Sequence, residues 1–151
     1  MGDCIYINSE KPELTKEEME VLGIRPIREP FKRIPGQIYY CIGVDGISWP
    51  REDEGSLIDE GRYSVANYCA DKKIMRQRAM YETLSRLLWR FSEQNGGKGM
   101  FGIANKGNGS FCSMIENYRY LEPTFKTANI ADRAIVEIVK PFMKAHPDFV
   151  W

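Results

Sequence analysis

A reacting group needs a partner within hydrogen-bond reach, and the residue types that supply such partners are sparse in this chain. Its one histidine, His146, stands beside Pro147 near the end of the sequence. A Ser-His-Asp or Cys-His relay would therefore have to be built around a terminal segment. Glu52, Asp53 and Glu54, with Asp59 and Glu60, form an acidic cluster able to attract a hard cation. It lacks the alternating ligands and internal glycine of a calcium loop and reads as a solvated loop face. Gly96-Gly97-Lys98-Gly99 has the glycines of a phosphate cradle. No Ser or Thr follows the lysine, and the segment leads into a strand instead of opening a helix, so it reads as a linker. Cys4, Cys41, Cys69 and Cys112 are too widely spaced for a zinc site or a disulfide-dense scaffold and read as reduced thiols, most of them in the core. These residues predict no catalytic centre, no metal and no cofactor, and the chain reads as a non-enzyme.

Binding chemistry is better represented. On a helix, Lys72, Arg76, Arg86 and Arg90 project within about 80° of one another. Such a basic strip can meet nucleic-acid phosphates or an acidic protein. Trp89 falls away from the apolar stripe of the same helix, beside Met75 and Arg78, which is interface composition. Tyr39, Tyr40, Trp49, Tyr63 and Tyr68 crowd aromatics onto few strands, and alternation turns half of them away from the helices, with Tyr40 and Trp49 assigned to a partner surface. No row of Lys or Arg accompanies them, so core packing and protein contact are favoured over base stacking. Lys plus Arg and Asp plus Glu each number 21, so no global field draws the chain to nucleic acid or an anionic membrane.

The elements that must position these residues follow from local signals. Thr15 with Glu18 is a capping box that predicts a short helix over residues 16–22, and Pro26, Pro30 and Pro35 then keep the chain extended to Gly36. Residues 37–44 are rich in β-branched and aromatic side chains, and Asp45-Gly46 is a hairpin signal that implies a second strand over 47–49. Residues 50–61 are acidic and aperiodic and read as an exposed loop, with strand-like alternation resuming over 62–65. Asp71 caps a helix over 72–91, with Ile74, Met80, Tyr81, Leu84, Leu87, Leu88 and Phe91 on its apolar face. After the glycine linker the order recurs: a strand over 100–104, a turn over 106–109 and a strand over 111–118. Thr127 then caps a helix that buries Ile130, Ala131, Ala134, Ile135, Ile138 and Val139, and that Pro141 should kink or end. No apolar run approaches spanning length and no basic-then-apolar leader opens the sequence, which predicts a cytoplasmic protein with no membrane role.

Two strand-hairpin-helix units in series, each with one apolar helix face, are satisfied by an α+β fold. The expectation is antiparallel sheet or sheets covered by two main helices, with a short N-terminal helix and an extended arm. The arm occupies residues 1–36, a first ββα-type repeat 37–95, and a second, with a tail, 96–151, all in one compact unit.

Gly36-Gln37-Ile38-Tyr39-Tyr40-Cys41-Ile42, then Arg62-Tyr63, then Ala66-Asn67-Tyr68-Cys69-Ala70-Asp71 resembles a group of small phage and prophage proteins of unknown function. Their pattern is a Tyr-rich strand, a Gly-containing hairpin and a Gly-Asn-Tyr/Phe-Phe-x-Thr junction into a charged helix. Phe125-Lys126-Thr127 is similar to the same junction. Here Ala66, Cys69 and Asp71 stand where Gly, Phe and Thr are usual. The resemblance implies a mobile-element origin without a mechanism. The resulting expectation is a small accessory protein that binds a protein of host origin, with inhibition of a host defence system as its concrete form, and Trp89, Met75, Arg78, Tyr40 and Trp49 at the contact. The alternative is a nucleic-acid-associated module that uses Lys72, Arg76, Arg86 and Arg90. Self-association is compatible with either.

Overall fold

Asp45 and Gly46 fold the first apolar run back on itself. In a computed structural model, which describes residues 21, 29–107, 109–115 and 123–151, strand β1 (Ile38–Ile42) pairs antiparallel with β2 (Ser48–Glu52), Cys41 opposite Trp49 and Tyr40 opposite Pro50. The Asp45 carboxylate accepts from the Ile47 N–H at 3.0 Å, and Gly46 takes the positive φ of 76° that the turn needs. β2 extends beyond the expected 47–49, and it runs through a proline. Tyr40 gives its backbone N–H to Cys69 O at 2.7 Å and accepts from the Cys69 N–H at 3.1 Å. Pro50, opposite Tyr40, therefore forfeits no ladder bond.

The loop expected over 50–61 and the strand expected over 62–65 are instead interrupted by a helix, α1 (Leu57–Ser64). It opens on a capping box in which the Asp59 N–H donates to Ser56 Oγ at 3.2 Å and the Ser56 N–H donates to Asp59 Oδ2 at 3.1 Å. Among its eight residues only Leu57, Ile58 and Tyr63 are large and apolar, interspersed with Asp59, Glu60 and Arg62, so the stretch reads as acidic and aperiodic.

Helix α2 (Lys72–Gln94) starts at Asp71, whose carboxylate accepts from the N–H groups of Lys73 and Ile74 at 2.8 and 3.2 Å. Its buried residues are Met75, Ala79, Met80, Leu84, Leu88, Phe91 and Ser92. Ile74 and Tyr81, expected in the stripe, are exposed. At about 3.6 residues per turn, Met75 and Ala79 lie on a different side from Met80, Leu84 and Leu88. The helix contacts the first hairpin as well as the C-terminal helices, so its burial is two-sided.

Strands β3 (Phe101–Asn105) and β4 (Phe111–Ile115) form a second, separate hairpin. Phe101 exchanges both backbone hydrogen bonds with Phe125, at 3.1 and 2.7 Å, as Tyr40 does with Cys69. In each half the helix cap stands two residues further on, at Asp71 and Thr127. Gly99 lies so close to this junction that a Cβ would collide with the backbone of Phe125 and Lys126. The glycine of the expected linker is thus a packing requirement.

Helix α3 (Ala128–Ala134) begins at Thr127, whose hydroxyl accepts from the Ile130 N–H at 3.3 Å. It continues through a π-helical segment, Ile135–Val139, into α4 (Lys140–Ala145). The disturbance expected at Pro141 takes this form. A widened turn, in which the Lys140 N–H reaches Ile135 O, carries a residue that has no N–H and whose ring would press on the preceding turn of a regular α-helix. Met80, Leu84, Leu88 and Phe91 of α2 pack with Phe125, Ala131, Ala134, Val139 and Phe142 in the main core, which Phe149 closes. The architecture is α+β, with two antiparallel hairpins and helices packed on them. Apart from Val21, the helix expected over 16–22 lies outside the described residues. Among the described residues no helix is long and apolar enough to cross a membrane.

Candidate functional site

The acidic cluster is not a solvated loop face throughout. Glu52, Glu54 and Glu60 are exposed, but Asp53 and Asp59 are buried beside the first hairpin. Asp53 receives the Arg33 guanidinium at 2.8 and 3.1 Å, the Tyr68 hydroxyl at 3.1 Å and the Gly55 N–H at 3.0 Å. Asp59 receives the Tyr39 and Ser56 hydroxyls, each at 2.6 Å, and the Glu54 N–H at 3.2 Å. Arg62 Nη1 donates to the Tyr39 hydroxyl at 2.8 Å, and the Tyr39 and Tyr68 rings stack at 4.1 Å. Tyr39 and Tyr68 are buried, in keeping with the core packing favoured for the strand aromatics, and α1 covers that face.

Electrostatics follow from the partners. The Ser56 and Tyr39 hydroxyls hold the Asp59 carboxyl at about 2, and the Arg33 guanidinium holds Asp53 below the usual carboxylate range. Burial, with the Asp59 carboxylate as acceptor, pushes Tyr39 up to about 12. Burial also raises the Cys69 thiol, which suppresses the thiolate a nucleophile would need. Cys41 is likewise free and buried, and Cys112 is half-buried. A network with this many internal donors positions elements; it offers no unpaired base to a substrate. Among the described residues no cluster of His, Cys, Asp and Glu is arranged to hold a metal ion.

Turning Asp59 and Arg62 inward turns the apolar residues of α1 outward. Leu57 is 86% exposed, Ile58 64% and Val65, at the helix end, 68%. With Gly61 they occupy one side of the helix, within about 100° of arc. Gly61 is exposed, and beyond its chain neighbours and its own helix backbone nothing lies within 4 Å of where its Cβ would be. The signal in the sequence is the helical spacing of Leu57, Gly61 and Val65, which runs across the boundary between the loop expected over 50–61 and the strand expected over 62–65.

The basic strip on α2 is present but divided. The tip of the first hairpin packs across its middle, where a Cβ on Gly46 would come within 2.7 Å of Thr83 Oγ1. On one side of that contact Lys72 and Arg76 line a cleft of about 450 Å³ with Asp45, Met80, Phe142 and His146. On the other, Arg86, Trp89 and Arg90 line a hollow of about 320 Å³ with Val44. Arg76 is paired with Asp148 at 2.9 Å and Arg86 with Glu82 at 3.0 Å.

The residues expected at a protein contact separate. Trp89 is 60% exposed, and Trp49 is partly exposed, its indole N–H donating to Asp45 at 3.0 Å. Met75 is fully buried, so it belongs to the core; the second covered side of α2 accounts for the difference. Arg78 is committed to Glu82 at 2.8 Å and to the carbonyl of Ala66, a residue held at a positive φ of 56°. Tyr40 is half-buried in the Cys69 bridge.

Comparison with known proteins finds no matching family model, no matching curated protein and no matching solved structure.

Proposed function

We propose that the protein is a small accessory binding module that captures another protein through the outward apolar side of α1. The observation that carries this reading is that Leu57, Ile58 and Val65 are exposed on a helix whose polar side is the buried one. Apolar residues grouped on one exposed side of a helix are the composition found at protein interaction sites. Exposed Trp89, with Arg86 and Arg90 beside it, supplies a second patch of interface composition. The resemblance to phage and prophage proteins supports a mobile-element origin and a host protein as the partner, with inhibition of a host defence system as the concrete form.

The test is affinity capture from bacterial lysate with tagged protein, with and without nuclease, repeated with Leu57→Glu/Val65→Glu. The expected result is one stoichiometric protein that survives nuclease and is lost with the double variant while the melting temperature is kept. Retention that the double variant does not alter, or no retention, overturns the reading. Nucleic acid retained by Lys72, Arg76, Arg86 and Arg90 would favour the alternative, although a backbone following α2 must step over the hairpin tip.

A further inference from the structure

We infer that the cleft between the first hairpin, α2 and α4 binds a small organic anion, with Lys72 and Arg76 holding the charged group and Asp148 acting as a built-in competitor at Arg76. This inference is independent of the α1 surface. The cleft, about 450 Å³, has the size and the mixed lining of small-molecule sites. Its floor is the margin of the main core: Met80 and Phe142 are buried members of that cluster, and the His146 ring lies against Phe142 at 4.4 Å. A floor made of close-packed core residues is apolar and held in place by its packing, and suits a ring-sized apolar body.

Its wall is cationic. Lys72 and Arg76 stand one helical turn apart and both line the cleft. Among the described residues Lys72 has no ion pair, and the one acid of the hairpin side, Asp45, is turned to its own strand, accepting from the Ile47 N–H at 3.0 Å and the Trp49 indole at 3.0 Å. Arg76 meets Asp148 at 2.9 Å, in a pair about half exposed on both sides. Such a pair is weak and easily exchanged for a ligand anion. Exchange need not release the chain, because Gln77 holds the same segment independently, donating to Asp148 O at 2.6 Å and accepting from the Val150 N–H at 2.9 Å. The site is thus a core-floored slot with one cation free of any ion pair among the described residues and one lightly guarded.

The probe is 1-anilinonaphthalene-8-sulfonate, an anionic group on an apolar ring system, titrated by fluorescence with near-UV circular dichroism recorded alongside. Saturable binding to the folded protein is expected, weakened at least about tenfold by Lys72→Glu/Arg76→Glu, left within about twofold by Arg86→Glu/Arg90→Glu, and weakened by salt. Asp148→Ala should tighten it about two- to fivefold, the range of an exposed ion pair. Lys72→Gln/Arg76→Gln serves if charge reversal disturbs folding. No saturable binding, equal binding by the Lys72/Arg76 and Arg86/Arg90 variants, or binding only with loss of the near-UV signal overturns the site. Unchanged affinity in Asp148→Ala overturns the competitor role.

Discussion

The Tyr39 hydroxyl donates to Asp59 Oδ1 at 2.6 Å and so ties the buried side of β1 to the inner side of α1. The same oxygen accepts from Arg62 at 2.8 Å, so one hydroxyl serves two residues of the helix. Tyr39→Phe removes this link while keeping the ring stack on Tyr68. It should lower stability by about 1–3 kcal/mol, the cost of unpairing buried polar groups, as read from urea unfolding.

The same network makes stability depend on pH at both extremes. Asp59 lies at about 2 in the fold against an ordinary carboxyl value of 3.8. A depressed carboxyl contributes stability that is complete above the unfolded value and is lost as pH falls from about 4 towards 2. Asp53, lowered by Arg33, acts in the same direction. Tyr39 is raised from 10.0 to about 12, so its contribution is complete below about pH 10 and is lost as pH rises towards 12. Urea midpoints measured across this range should fall at both ends. Asp59→Asn should flatten the acid limb and Tyr39→Phe the alkaline one; unchanged limbs would show that other groups govern them.

Two glycines should respond in opposite directions. Gly99→Ala places a methyl group against the backbone of Phe125 and Lys126 and should cost more than about 2 kcal/mol, because backbone cannot rotate away. Gly61→Ala, in a helix and open to solvent, should stabilise by about 0.5–1 kcal/mol. Thermal melts of the two variants decide both.

Gly46→Ala strains a positive φ and crowds Thr83. The left-handed backbone alone should cost about 1–2 kcal/mol. Gly46→Ala/Thr83→Ala should recover the steric part and leave the backbone part. A double variant no better than the single one would mean that the hairpin tip does not press on α2.

Met75 and Trp89 test the two-sided burial of α2. Met75→Ala should cost about 2–5 kcal/mol, as for a buried methionine. Trp89→Ala should stay within about 0.5 kcal/mol, as for a surface site. Comparable losses would place both in the core.

Local chemistry by itself determined much of this protein. Asp45-Gly46 marks its turn, and Asp71 and Thr127 cap their helices, through bonds to residues at most three positions away; such signals are complete within a short window of sequence. Only tertiary structure decided the rest. Asp53 is buried because Arg33 and Tyr68, 20 and 15 residues distant, close on it. α1 turns its polar side inward because Tyr39, on a strand before it, supplies the buried donor for Asp59. The four basic residues of α2 share an arc by helical geometry alone, yet the hairpin tip at Gly46 divides them. Periodicity reports how a helix is patterned; which side a second element covers depends on contacts between residues far apart in the chain.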